Sequence, residues 1–180
     1  MHLYIAAAHF AAVRHRDHKR KGASEEPYIN HLLEVCALLS SAGLDDPELL
    51  AAAVMQDSVE DVGVTLQEIE ERFGARVAEI VAEVTDDTTL PRHARKLDEL
   101  ARAGGASLQA QAIKVADKTS NIRGILVSPP AGWSHQRKLD YCIFTKDLVL
   151  ACERAPEALV EGFLPIHAQV LRRLTAVGAA

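Results

Sequence analysis

A chain of 180 residues with 48% apolar and 25% charged side chains has the length of one domain and enough apolar surface to bury a core, which excludes intrinsic disorder. Its net charge of −5 excludes the chain as a whole as an electrostatic partner of nucleic acid or of an anionic membrane. Only 4% of residues are aromatic, Gly and Pro number 10 and 7, and Ala, Leu and Val recur at helical spacing, so the fold class reads as all-α.

In chain order, residues 2–19 carry Ile5, His9, Ala12 and Val13 on a helical period that should fail before Gly22. The apolar stretch Leu3–Val13 resembles the apolar part of a secretion signal, but no positive charge precedes it, His9 interrupts it and the basic run follows it, so retention in the cytoplasm is expected. After Pro27, residues 28–42 are apolar around most of a helical circumference, as in a central helix, and Gly43 stops them. Asp46 before Pro47 is an N-cap for a second buried helix running to Val59. Thr65 and Glu68 match a capping box for residues 66–73, and Gly74 separates these from a helix over 77–84. A polar surface helix is expected over 92–103, an apolar one over 108–127, and two more over 133–152 and 156–177. No linker or repeat divides the chain, so residues 1–180 are expected to form one domain. Cys36, Cys142 and Cys152 are odd in number and widely spaced, with no CxxC, which suits reduced thiols in the cytoplasm.

The chemistry concentrates in three polar islands within apolar helices. Gln56, Asp57, Glu60 and Asp61 are related by i, i+1, i+4 and i+5, which on a continuous helix places all four in one sector. Burying that sector without positive charge would cost several kcal/mol or more, on the order of an unpaired carboxylate in an apolar setting. His31 interrupts the second helix, where a lone imidazole is more often a satisfied core histidine than a ligand. Asp117 interrupts the most apolar part of residues 108–127, with Asn121 one turn on. Together they form a divalent-cation site with acids left over to activate water. The segment Arg14–Lys21 carries about +4 on a chain of −5. Arg14, Arg16 and Lys19 read as a solvated face, while Arg20 can stack on a purine or fork onto phosphate.

The motifs Arg20-Lys21, Tyr28-Ile29-Asn30-His31, Asp57-Ser58-Val59-Glu60-Asp61, Phe73-Gly74, Val84-Thr85-Asp86-Asp87, Lys114-Val115-Ala116-Asp117-Lys118 with Asn121, and Gly132-Trp133-Ser134 occur in that order. In this the chain resembles the HD-domain phosphohydrolases of the RelA/SpoT type, and within them the small stand-alone alarmone hydrolases that include the metazoan SpoT homologues. The resemblance implies a helical HD-type fold and removal of the 3′-pyrophosphate from (p)ppGpp with manganese. It places the metal ligands on His31, Gln56, Asp57 and Asp117, and the water-activating acids on Glu60 and Asp61. It places nucleotide contacts on Arg20, Lys21, Asn121, Lys118 and Tyr141, with Arg123 beside them and Trp133 structural.

Three positions depart from the family pattern. Gln56 replaces the His of the His-Asp doublet, Leu32 replaces a Pro, and Gly124 stands where a substrate-contacting Thr is usual. A Gln carbonyl oxygen suits manganese but lacks the imidazole donor, so the resemblance implies a weakened metal site and attenuated turnover. The alternatives are a nucleotide-binding or regulatory module without turnover, and an HD phosphatase acting on another nucleotide such as NADPH. With the chain ending near residue 180 and no synthetase segment following, a bifunctional alarmone enzyme is not expected.

Overall fold

A computed structural model describes residues 2–177; the ends of the expected 1–180 span lie outside the described residues. Among them are ten helices: α1 (Leu3–Arg14), α2 (Ile29–Ser41), α3 (Pro47–Val54), α4 (Ser58–Val62), α5 (Leu66–Phe73), α6 (Ala75–Val84), α7 (Arg92–Ala103), α8 (Leu108–Val127), α9 (His135–Ala151) and α10 (Glu157–Val177). The fold is all-α, as expected. Among the described residues no helix is long and apolar enough to cross a membrane.

Helix α8 is the axis of the molecule, packed by α2, α6, α9 and α10. Its Ala112, Ile113, Val115, Ala116 and Ile122 are wholly buried, which accounts for its apolar circumference. Helix α3 lies between α1, α2 and α6, and its alanines Ala51, Ala52 and Ala53, with Ala7 and Ala11 of α1, let the backbones approach closely. Leu32 and Leu39 of α2 are fully buried, each worth about 1.5–3 kcal/mol relative to exposure. Leu32 therefore serves the core.

The helix starts follow the expected chemistry. Asp46 Oδ1 accepts from the Glu48 amide at 2.9 Å, and Thr65 Oγ1 accepts from the Glu68 amide at 3.0 Å. Each cap is worth about 1 kcal/mol. The Glu68 carboxylate pairs with Arg14 and Arg72. Gly63 ends α4 at φ 69°, a conformation that a side chain would disfavour.

Three boundaries differ from the sequence reading. The first helix stops at Arg14, and residues 15–28 instead fold back in a loop joined by short bridges between Lys19 and Pro27 and between Gly22 and Pro130. The ninth begins at His135, because Ser134 Oγ accepts from the Arg137 amide at 3.1 Å and leaves Trp133 before the helix. The third correction bears on the site: the helix expected to run unbroken to Val59 breaks at Met55–Asp57. The Met55 amide bonds back three residues to Ala52 O at 3.1 Å, and α4 restarts at Ser58. Gln56, Asp57, Glu60 and Asp61 therefore do not share one sector of a continuous helix.

Candidate active site

The break between α3 and α4 sets two consecutive polar side chains against α2 and α8. On a regular helix neighbours diverge by about 100°; here Gln56 and Asp57 face the same cluster. His31 of α2, buried, places Nε2 3.0 Å from Asp117 Oδ1 of α8 and 3.7 Å from Asp57 Oδ2. One donor atom from each of these three residues lies within 4.8 Å of the others, close enough to share one ion. An imidazole nitrogen with two carboxylate oxygens is a donor set that suits manganese and similar divalent cations, so the residues fit a metal.

Gln56 completes the cluster in an unusual way. Its amide nitrogen donates to Asp117 Oδ1 at 3.2 Å and to Asp57 Oδ2 at 3.5 Å, and lies 3.4 Å from His31 Nε2. The network sets this orientation of the amide. A half-turn would present the oxygen in place of the nitrogen, at the cost of both hydrogen bonds.

Neighbouring groups set the charge of each carboxylate. Tyr28, at the head of α2, donates its hydroxyl to Asp57 Oδ2 at 2.9 Å. Burial, with Asp57 next in effect, holds the phenol far above its ordinary range, so it remains a neutral donor. Asp57 is pushed up to about 6 by burial and by the Asp117 charge. Burial acts on Asp117 in the same direction, but the Lys118 ammonium at 3.0 Å and His31 outweigh it and hold that carboxyl well below the usual range. Asn121, one turn on as expected, donates to Asp117 Oδ1 at 2.9 Å.

A polar cavity of ≈ 160 Å³ opens beside this cluster, lined by Gln56, Asp57, Glu60, Asp86, Glu99, Lys114, Asp117 and Lys118 among others. Glu60 Oε1 accepts from the Asp86 amide at 2.7 Å, and burial pushes the Glu60 carboxyl up to about 7 despite that bond. Asp61 takes a different position. It is exposed, does not line this cavity, and lies 3.9 Å from His18 Nδ1. The two acids read as a pair in the sequence face different surroundings.

A larger cavity of ≈ 460 Å³ adjoins on the other side of His31, lined by Arg20, Lys21, Tyr28, Asn121, Gly124, Trp133 and Tyr141 among others. Arg20 NH1 donates to Asn121 Oδ1 at 3.0 Å, and its guanidinium lies 5.9 Å from the Tyr28 ring centre. Gly124 explains itself here: a Cβ on it would sit 3.1 Å from Arg20 NH2. The absence of a side chain at Gly124 leaves room for that guanidinium. Trp133 stands edge-on to Tyr141 at 5.2 Å between ring centres, so the residue read as structural also walls the cavity. Lys118 lies in the polar cavity instead, bonded to Glu99 at 3.0 Å.

Several contributors were not singled out in the sequence. Glu99 is 5% exposed on α7, a helix read as polar surface, and it answers Lys114 and Lys118 at 3.5 and 3.0 Å. The signal was present: two lysines four apart in an apolar helix need a counter-charge. His15 is 1% exposed, parallel to the Tyr28 ring at 5.3 Å, and burial lowers it to about 4, so this member of the basic run is a neutral packing group. Ser120 Oγ lies 2.8 Å from His31 Nδ1 and donates to Glu34 Oε2 at 2.6 Å.

A family model described as HD domain matches residues 7–140. A protein of Xenopus tropicalis named guanosine-3′,5′-bis(diphosphate) 3′-pyrophosphohydrolase MESH1 is 41% identical over 163 residues, covering 90% of each chain. The Homo sapiens protein of the same name is 39% identical over 166 residues, covering 92% of this chain and 93% of its own. A solved structure described as a metazoan ortholog of SpoT that hydrolyzes ppGpp superposes with a TM-score of 0.90 at 34% identity, over 94% of this chain and 96% of that one. With the model spanning most of the helices described above and these relatives matched nearly end to end, the chain belongs to the HD-domain family, in the branch of the metazoan SpoT-like proteins.

Proposed function

We propose that the protein is a metal-dependent hydrolase that removes the 3′-pyrophosphate of (p)ppGpp, with turnover attenuated by Gln56. The observation that carries this reading is the convergence of His31, Asp57 and Asp117 on one point between a polar cavity holding Glu60 and a basic, aromatic-walled cavity. At ≈ 460 Å³ the larger cavity falls in the ordinary size range of ligand pockets. Its Arg20 and Lys21 suit the purine and phosphates, with Asn121 and Tyr141 completing the contacts. The similarity to proteins named for this reaction supports the substrate.

The cation, manganese in this reading, would be held by His31, Asp57 and Asp117 with Gln56 beside them. It would supply positive charge against the phosphate oxygens and lower the proton affinity of water. Hydrolysis adds water oxygen to the phosphorus on the ribose 3′ oxygen and breaks that P–O bond, releasing pyrophosphate and a 3′-hydroxyl. Glu60, raised to about 7 in the polar cavity, orients the water and takes its proton. Lys118, held protonated against its burial by Glu99 and Asp117, places positive charge beside the pyrophosphate. Asp61, next to His18 and outside that cavity, acts on Glu60 through its charge rather than by touching the water. A cytoplasmic location follows from such a substrate and agrees with the three unpaired, buried cysteines.

A base raised to about 7 must be deprotonated to act, so kcat is expected to rise with pH and level off above about 7. Glu60→Gln should lower kcat by about 10²- to 10⁴-fold and flatten that rise. A pH–rate profile of both proteins checks this, and an unchanged profile in Glu60→Gln would remove Glu60 from the mechanism. Arg20→Ala should weaken nucleotide binding while leaving the melting temperature nearly unchanged, because the guanidinium sits over a cavity rather than in the core. Calorimetry with a non-hydrolysed nucleotide reads this, and equal affinity would return Arg20 to the solvated face.

A second reading is favoured by one observation: the Gln56 amide nitrogen, a donor, faces both carboxylates. That geometry suits a nucleotide-binding module without turnover. Assaying pyrophosphate release from ppGpp with and without manganese, for the native chain and Gln56→His, separates the two readings. Release by the native chain, raised in Gln56→His, supports the hydrolase; binding without release by the native chain supports the module.

A further inference from the structure

With Gln in the doublet, His31 is the one nitrogen donor of the cluster His31, Asp57 and Asp117. An imidazole binds a cation through a bare nitrogen while its other nitrogen keeps a proton, and the partner of that second nitrogen fixes which is which. Nε2 of His31 is the nitrogen that faces the carboxylates, so a cation shared with them needs Nε2 bare and the ring proton kept on Nδ1. Nδ1 lies 2.8 Å from Ser120 Oγ, and Ser120 Oγ lies 2.6 Å from Glu34 Oε2. The other Glu34 oxygen pairs with Arg123, and a carboxylate in an ion pair is an acceptor only. The one hydroxyl proton of Ser120 therefore goes to Glu34, and its lone pair is left for Nδ1–H.

The bond is not the default for a helical hydroxyl, which turns back to the carbonyl four residues earlier. Thr119 does this, donating to Val115 O at 2.8 Å. Ser120 instead spans from α8 to α2 and is 1% exposed.

We propose that Ser120 and Glu34 are positioning residues of the metal centre, holding the His31 proton on Nδ1 so that Nε2 is free for a divalent cation. The proposal rests on reading His31, Asp57 and Asp117 as that centre and is independent of the substrate. Manganese binding to the purified protein, followed by electron paramagnetic resonance of the free ion, tests it without nucleotide. Ser120→Ala is expected to weaken affinity by about 10- to 100-fold, as loss of such partners does. Glu34→Gln should weaken it too, because its amide can donate to Ser120 and release the hydroxyl proton toward Nδ1. Ser120→Thr, which keeps the hydroxyl, should restore binding.

A role confined to packing would not touch the ring proton. In the zinc-loaded native protein the His31 Nδ1 proton is expected as a downfield resonance protected from exchange, and in Ser120→Ala that protection is lost. Should Ser120→Ala fail to fold, Glu34→Gln, whose side chain is half-buried, carries the test alone. Native affinity in both variants overturns the proposal, as does absence of manganese binding by the native chain. Manganese binding without ppGpp hydrolysis would sink the hydrolase reading and leave this one standing.

Discussion

Gln56→His is expected to bind manganese at least about 10-fold more tightly than the native chain and to raise pyrophosphate release from ppGpp. Loss even of a group that supports a ligand typically costs about 10- to 100-fold in affinity or activity, and restoring a ligand should recover at least as much. The native amide nitrogen donates to Asp57 and Asp117, so a cation must displace two hydrogen bonds before the Gln56 oxygen can turn toward it. A histidine offers a bare nitrogen with no such competition. Manganese titration beside a turnover assay checks both parts. Equal affinity in the two proteins would mean that Gln56 does not limit the centre, and the native chain should then be fully active.

Asp117→Ala is expected to abolish manganese binding and to lower stability by about 3 kcal/mol, the scale of breaking a buried ion pair by removing one partner. For a domain of this size that is roughly 6–12 °C in melting temperature. Asp117 accepts from Gln56 and Asn121 and pairs with His31 and Lys118, so its loss leaves several buried donors without their acceptor. Glu99 still holds Lys118, and relief of the repulsion with Asp57 returns part of the loss. Thermal melts in chelator read the stability change apart from the metal. A melting temperature equal to the native value would show that the polar network contributes nothing to the fold.

Much of the architecture was legible because its signals are local. Asp46–Pro47 and Thr65 with Glu68 mark helix starts through bonds to residues two or three away, Gly74 ends α5 at φ 95°, and those ends lie where expected. His31, Asp57 and Asp117 were legible for a different reason, as polar residues interrupting apolar stretches of sequence. The break at Met55–Asp57 was not. Residues 49–59 have unbroken helical propensity, and the turn there exists to aim two successive side chains at groups on α2 and α8, a tertiary demand that local preference does not record. The separate placement of Asp61 was missed with it, since the restart at Ser58 sends Glu60 and Asp61 to different surroundings. Glu99 and Glu34 were illegible in themselves, because an acid on a helix is ordinary until its partner is known.

The metal cluster and the Arg20–Asn121 bond join residues far apart in the chain: 61 positions for Gln56 and Asp117, and 101 for Arg20 and Asn121. Both cavities and the cluster need α8 docked against α2 and the α3–α4 break, so chains still lacking α8 lack Asp117 and cannot complete the cluster. A ligand that recognises only the finished arrangement stabilises the molecule as a whole, by about 2.7 kcal/mol at a hundred times its dissociation constant. Amide hydrogen exchange in the presence of manganese should accordingly slow in α2, α3 and α8 together, including amides distant from the ion, because the openings that expose them must first take the cluster apart.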